Sequence, residues 1–215
     1  TNTLNIDIKK SELKQNNSSS QKTQGDETQV NLDNDQTDPQ ITELSDGGWV
    51  STWTSYGQGS NSGVFAQAYN ADGTEQGGAT QISTETDPNQ TDPEITVLSD
   101  GGFEINWKSA KQDGSNNNVY RQAFSADGTA QGVETQTITN SDDNQTDPEI
   151  AELSDDESVI PLKSAQQDGS NDIVDEQAYN TDGTSQDVET QANTNSDNNQ
   201  TDLQITALND SKVNT

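Results

Sequence analysis

The 215-residue sequence contains no cysteine, no histidine and no methionine. Lacking thiolate and imidazole, it has no disulfide, no cysteine nucleophile, no imidazole base and no ordinary zinc site. Basic residues are scarce too: nine Lys and Arg stand against 38 Asp and Glu, for a formal net charge of −29. A chain so charged repels a phosphate backbone, which excludes nucleic acid as a partner. No apolar run approaches the ~20 residues of a membrane-spanning helix, so no membrane insertion is expected. Hydrophobic residues make up 25% and aromatics 5%. By itself that balance predicts disorder, because too little apolar surface is present to offset the entropy of ordering the chain. What remains for chemistry is oxygen: carboxylates, amides and hydroxyls. Absence of cysteine also fits a bacterial secreted chain better than a eukaryotic one. No basic-then-apolar leader follows Thr1, so the sequence reads as a mature form or an excised fragment.

What the chain does have is a repeat. Gln-Thr-Asp followed by Pro or Leu recurs at Gln36, Gln90, Gln145 and Gln200, at intervals of 54, 55 and 55 residues. Self-similarity at this period marks propellers and solenoids, and it overrides the disorder expected from bulk composition. In the second unit, Asp100-Gly101-Gly102, Asp113-Gly114-Ser115-Asn116 and Ala126-Asp127-Gly128-Thr129 are turns that separate four strand-like pieces. The pieces are Glu94–Leu98, Phe103–Lys108, Val119–Phe124 and about Val133–Ile138. Pro93 introduces the first, at a strand start where proline is tolerated. Phe103, Ile105 and Trp107 alternate with Glu104, Asn106 and Lys108, the pattern of a half-buried strand. Four short antiparallel strands per unit match one propeller blade.

The expected fold is therefore all-β: a β-propeller-like array of four-stranded antiparallel blades, with a β-solenoid or sandwich-like stack as the alternative. Residues 1–23 read as a flexible leader, since they hold the basic residues Lys9, Lys10, Lys14 and Lys22 while the acid lies downstream. Residues 24–35 read as an orphan fourth strand and loop. Units one, two and three then span 36–89, 90–144 and 145–199, and 200–215 form a partial unit and tail. Three blades do not close a ring, so closure is expected from further units or from other copies of the chain. The third unit is degenerate. Leu162 replaces Trp107, Asp175 replaces Tyr120, and Pro161 replaces Asn106 within an inner strand. Each lost aromatic removes roughly 3–5 kcal/mol of packing, and Pro161 removes a ladder donor, so this unit is expected to be the loosest.

The units resemble a repeat of very large secreted bacterial proteins, the hemolysin-type calcium-binding and adhesin-like proteins. Carrying the resemblance are Asp46-Gly47-Gly48-Trp49 with Trp53, Phe65-Ala66-Gln67-Ala68-Tyr69 and Asp72-Gly73-Thr74. The same pattern recurs as Asp100-Gly101-Gly102-Phe103 with Trp107, Tyr120-Arg121-Gln122-Ala123-Phe124 and Gly132-Val133-Glu134-Thr135-Gln136. It spans about residues 24 to 210. The resemblance implies a propeller-like repeat on a secreted or cell-surface protein and no assigned catalytic residue.

Candidate metal ligands are Asn70, Asp72, Ser125, Asp127, Asn180 and Asp182. In these turns oxygen-bearing side chains two apart precede a glycine, half of a calcium-loop pattern without its bidentate glutamate. A plain Asp-Gly hairpin accounts for the same residues. Tyr56, in a turn, is the candidate ligand-binding aromatic, whereas alternation places Trp53 and Trp107 in the core. No pair among the 38 acids stands out from the repeat, so no catalytic residue is assigned and the chain is not expected to be an enzyme. The resulting expectation is a structural or adhesive module, extracellular and acidic, with weak calcium binding. Its partners would be other repeat modules, copies of itself or cell-surface glycans. The alternatives are a lectin-like carbohydrate-binding propeller module and, last, a hydrolase fragment.

Overall fold

The computed structural model describes residues 35–57, 61–84, 89–110, 117–137, 144–153, 157–165, 173–180, 184–186, 190–192 and 203–205. The expected leader and orphan strand therefore lie outside the described residues, apart from Asp35. Every regular element among the described residues is a strand. Blade one comprises β1 (Asp35–Glu43), β2 (Trp49–Tyr56), β3 (Ser62–Tyr69) and β4 (Glu75–Gln81). Blade two comprises β5 (Gln90–Val97), β6 (Phe103–Ala110), β7 (Asn117–Phe124) and β8 (Ala130–Gln136). Each is an antiparallel meander in chain order. In the third sheet the first strand is split into β9 (Asn144–Thr146) and β10 (Ala151–Leu153). Both segments pair with β11 (Glu157–Ala165), which is followed by β12 (Ile173–Asn180) and β13 (Thr190–Gln191). The architecture is a β-propeller-like array of four-stranded blades.

The turns follow from their glycines. Gly101 sits at φ +89°, and Gly102 donates its N–H to Asp100 Oδ1 at 2.8 Å, closing the β5–β6 hairpin. A Cβ on Gly102 would lie 2.4 Å from the Phe124 carbonyl oxygen. Gly102→Ala is accordingly expected to cost about 1–3 kcal/mol, the scale of forced overpacking, read from the urea midpoint. An unshifted midpoint would show that the turn yields freely. In the third sheet Glu157 stands at this position, and there β11 begins at Glu157 itself, paired with Asn180.

Strand one departs from its expected start. β5 begins at Gln90, so Pro93 lies inside it, at a bulge where Asp92 and Pro93 together oppose Trp107. Asp92 has φ +53°, and its counterparts Asp38 and Asp147 have +52° and +51°. Aspartate is among the few residues that tolerate this left-handed region, and the break in pairing accommodates a proline without an N–H. Gln90 anchors the bulge. Its Nε2 donates to Ser109 Oγ at 2.9 Å, and its Oε1 accepts from Trp107 Nε1 at 2.9 Å. Asp92 pairs with Lys108 at 3.5 Å, and Asp147 with Lys163 at 3.9 Å. The repeated tetrapeptide is thus an anchored bulge, not a lead-in to the strand.

Blades stack face to face. Val50, Val64 and Ala66 of blade one form a single core with Phe103, Ile105, Trp107 and Phe124 of blade two. Because blade two is covered on both faces, the expected outward face of β6 is also buried: Glu104 is 1% and Asn106 0% exposed. Between blades two and three the packing is polar. Arg121 Nε donates to Glu104 Oε1 at 2.8 Å, and the Arg121 guanidinium lies 4.2 Å from the Tyr179 ring centroid. Ser158 Oγ donates to Glu104 Oε2 at 3.2 Å. In blades one and two the ring corresponding to Tyr179 is instead covered by an aromatic, Trp49 on Tyr69 at 3.7 Å and Phe103 on Phe124 at 5.1 Å.

The split of the third blade's first strand has a local cause. Pro161 replaces Asn106, which in blade two pairs with Glu94. Its carbonyl still accepts from Glu149 N at 3.2 Å, but proline supplies no N–H in return. Pairing stops at Thr146 and resumes at Ala151.

Candidate functional site

The residue directly after each Thr-Asp-Pro is Gln40 in blade one, Glu94 in blade two and Glu149 in blade three. In blades one and two the bulge resets the strand register just before Gln40 and Glu94, whereas Glu149 lies in the gap between β9 and β10, where its N–H donates to the Pro161 carbonyl. Gln40 Nε2 donates to Glu94 Oε1 at 2.9 Å, so the row is continuous from blade one to blade two. Asn106, cross-strand neighbour of Glu94, donates its Nδ2 to the Glu149 carbonyl oxygen at 3.2 Å, which extends the row to blade three. Asn106 Oδ1 is buried without a hydrogen-bond partner.

Two carboxylates thus become unlike the other acids. Burial, the nearby Glu149 charge and Asp92 push the Glu94 pKa up to about 7, against the opposing hydrogen bond from Gln40. Burial and Asp147 raise Glu149 as well. Burial is the larger cause of the Glu94 shift, and the Glu149 charge adds to it. A carboxyl group raised toward neutrality beside a second carboxylate is an arrangement that acid–base chemistry uses.

The same shift has a stability consequence. A glutamate whose folded pKa lies above its unfolded value contributes fully below the unfolded value. The contribution is lost as pH rises through the folded pKa. Glu94→Gln keeps the Gln40 contact and removes the buried charge. It is expected to stabilise the protein at about pH 8 by about 1–2 kcal/mol, after discounting for solvent screening of a half-exposed group, and to be neutral near pH 4.5. Urea unfolding of both proteins at the two pH values checks this, and equal differences at both would contradict it.

The residues expected at metal sites are held within hairpin turns. Asp72 Oδ1 accepts from Thr74 N at 3.0 Å and Thr74 Oγ1 at 2.7 Å, and these bonds lower its pKa. Asn70 Nδ2 donates to Thr74 Oγ1 at 2.9 Å. Asp127 Oδ1 accepts from Ser125 Oγ at 2.7 Å and Thr129 N at 2.9 Å, with its pKa likewise lowered. Asn180 Nδ2 donates to Thr184 Oγ1 at 2.8 Å, while Asp182 lies outside the described residues. Among the described residues no group of three carboxylates is placed to hold a metal ion. In the first two turns the candidate residues share a hydrogen-bonding partner, Thr74, or bond each other, Ser125 to Asp127, within one hairpin. Tyr56 ends β2 and is 37% exposed.

No protein-family model matches the chain, and no curated protein matches it in sequence. Solved structures do resemble it. It is similar to the Hadza microbial sialidase Hz136, with TM-score 0.54 and 10% identity over 70% of this chain and 36% of that one. It is also similar to the GH93 α-L-arabinofuranosidase of Fusarium graminearum in complex with arabinobiose, with TM-score 0.53 and 14% identity over 74% and 49%. A third is an ulvan lyase of polysaccharide lyase family PL25, with TM-score 0.51 and 9% identity over 71% and 42%. The chain spans about half or less of the length of each. At these identities the likeness establishes the propeller-like blade arrangement.

These findings overturn the expectation of a structural or adhesive module that is not an enzyme. The three solved proteins named above are two glycosidases and a polysaccharide lyase. The expectation rested on all the acids being equivalent by repetition. Packing makes them unequal, and Glu94 and Glu149 were missed because their shift arises at a junction between blades. Their one sequence signal is the change from Gln40 to Glu at the same repeat position.

Proposed function

We propose that the chain is part of a carbohydrate-active propeller, with Glu94 and Glu149 as its working carboxylates. The observation that carries this is the half-buried Glu94, its pKa pushed up to about 7 beside a second carboxylate from the next blade. A carboxyl group protonated near neutrality can hand its proton to the glycosidic oxygen of a departing sugar, while the ionised partner assists attack at the anomeric carbon. Gln40 steadies the Glu94 carboxyl and Asn106 the Glu149 backbone. The blade arrangement shared with glycosidases supports the same reading.

The test is release of reducing ends from polysaccharides by the full chain and by Glu94→Gln. Removing a general acid is expected to lower turnover at least about 100-fold. Wild-type turnover is expected to decline as pH rises through about 7, when Glu94 loses its proton. Turnover by Glu94→Gln equal to wild type, or none by either protein, would refute the assignment.

A further inference from the structure

We propose that the face of blade one turned away from blade two is a docking surface for residues 24–34 of the same chain, with Val30 seated over Trp53 and Tyr69. Alternation puts Trp49, Ser51 and Trp53 of β2 on that face, and cross-strand pairing adds Phe65, Gln67 and Tyr69 of β3. The same positions in blade two, Phe103, Ile105, Trp107 and Phe124, are those that blade one covers. A sheet does not bury its own face; a second layer packed about 10 Å away does. Yet Trp53 and Tyr69 are each 1% exposed and Ser51 is 0% exposed. The apolar cluster of Trp49, Trp53 and Tyr69 gathers only Phe65 and Ala79, also of blade one. The Ser51 hydroxyl is buried without a hydrogen-bond partner, so whatever shields it there offers no hydrogen bond, as befits an apolar side chain.

The sequence before β1, outside the described residues, supplies the occupant. Gln24-Gly25-Asp26-Glu27-Thr28-Gln29-Val30 matches Gln76-Gly77-Gly78-Ala79-Thr80-Gln81-Ile82 at both Gln, at Gly and at Thr, and Val30 falls at Ile82. Ile82 directly follows β4 and belongs to the core that blade one shares with Phe103, Ile105, Trp107 and Phe124. At the next junction the equivalent residue is Thr137, directly after β8. Its carbonyl accepts from the Tyr179 hydroxyl of blade three. At both junctions, then, the residue after a fourth strand meets the aromatic face of the following blade. Tyr69 is the blade-one counterpart of Phe124 and Tyr179, so Val30 is the residue to meet it. Its reach suffices: Val30 stands six residues before Gln36, and six extended residues span about 20 Å.

The test reads tryptophan emission in the full chain, because Trp49 and Trp53 are two of its three tryptophans. Val30→Asp is expected to red-shift the emission and open about two-thirds of it to acrylamide, as local undocking would. Trp107 stays shielded in the core between blades one and two. Val30→Ile, the residue of the next unit, is expected to leave both readings unchanged. A second measurement covers the case in which Val30→Asp unfolds the whole chain. The sequence has no cysteine, so Val30→Cys carries a single nitroxide label, a short-range quencher. Emission from Trp49 and Trp53 is expected to be lost, equally across about a hundredfold dilution, since an intramolecular contact does not follow mass action. Quenching that grows with protein concentration would place a second copy on the face and overturn the proposal. So would unchanged emission in both Val30→Asp and the labelled chain.

Discussion

Arg121→Ala is expected to destabilise the protein by about 3–5 kcal/mol, the usual cost of removing one partner from a buried ion pair. The Glu104 carboxylate is 1% exposed and accepts from Arg121 and Ser158. With Arg121 gone, a charge remains between blades two and three with only a hydroxyl to face it. The Tyr179 ring also loses the guanidinium that covers it. Blade one shows how the same positions are occupied without charge: Val50 stands where blade two has Glu104, and Ala66 where it has Arg121. Glu104→Val combined with Arg121→Ala should therefore recover most of the loss. Adding Ser158→Phe should recover more, by restoring a ring over Tyr179 as Phe103 lies over Phe124. Urea midpoints of the three variants decide it. A double variant no more stable than Arg121→Ala would mean that packing volume, not the unpaired charge, sets the cost.

Trp107→Ala should cost a similar about 3–5 kcal/mol, for a different reason. Trp107 is 0% exposed and belongs to the core shared by blades one and two. Its removal opens a cavity there and also leaves Gln90 Oε1 without the indole donor that meets it. Gln90 is the anchor of the bulge, so the damage is expected to spread to the placement of Glu94. Trp107→Phe separates the two contributions. It keeps most of the buried ring and loses only the hydrogen bond, for about 1–2 kcal/mol. Equal losses for the two variants would show that the hydrogen bond, not the cavity, dominates.

Much of the fold was legible because turn chemistry and alternation are local. Asp-Gly turns at Asp72, Asp100 and Asp127 marked strand ends that the structure places within a few residues. Trp53 and Trp107 are in the core as alternation requires. The bulge was less legible. Pro93 suggests a strand beginning, and only cross-strand pairing shows β5 already formed at Gln90. Glu104 and Asn106 read as solvent-facing, since period-2 alternation assigns charged residues to the outside. A blade covered on both sides has no outside along its inner strands.

The candidate site was the least legible part. Glu94 and Glu149 lie 55 residues apart at matching repeat positions, where repetition suggests equal and unremarked surroundings. Desolvation and mutual charge depend on distances between blades, which no single unit encodes.

The sparse basic residues, absent cysteine and histidine, and the repeat of 54 and 55 residues belong to the sequence itself. They determine that the chemistry is carried by oxygen, that the elements are short strands, and that the units are blade-sized. Those properties follow from composition and from steric preferences spanning a few residues. The stacking order of the blades, the Glu104–Arg121 pair buried between two of them and the raised proton affinities of Glu94 and Glu149 were decided only by tertiary structure. Burial and electrostatic coupling act through space, and they make repeated residues chemically different.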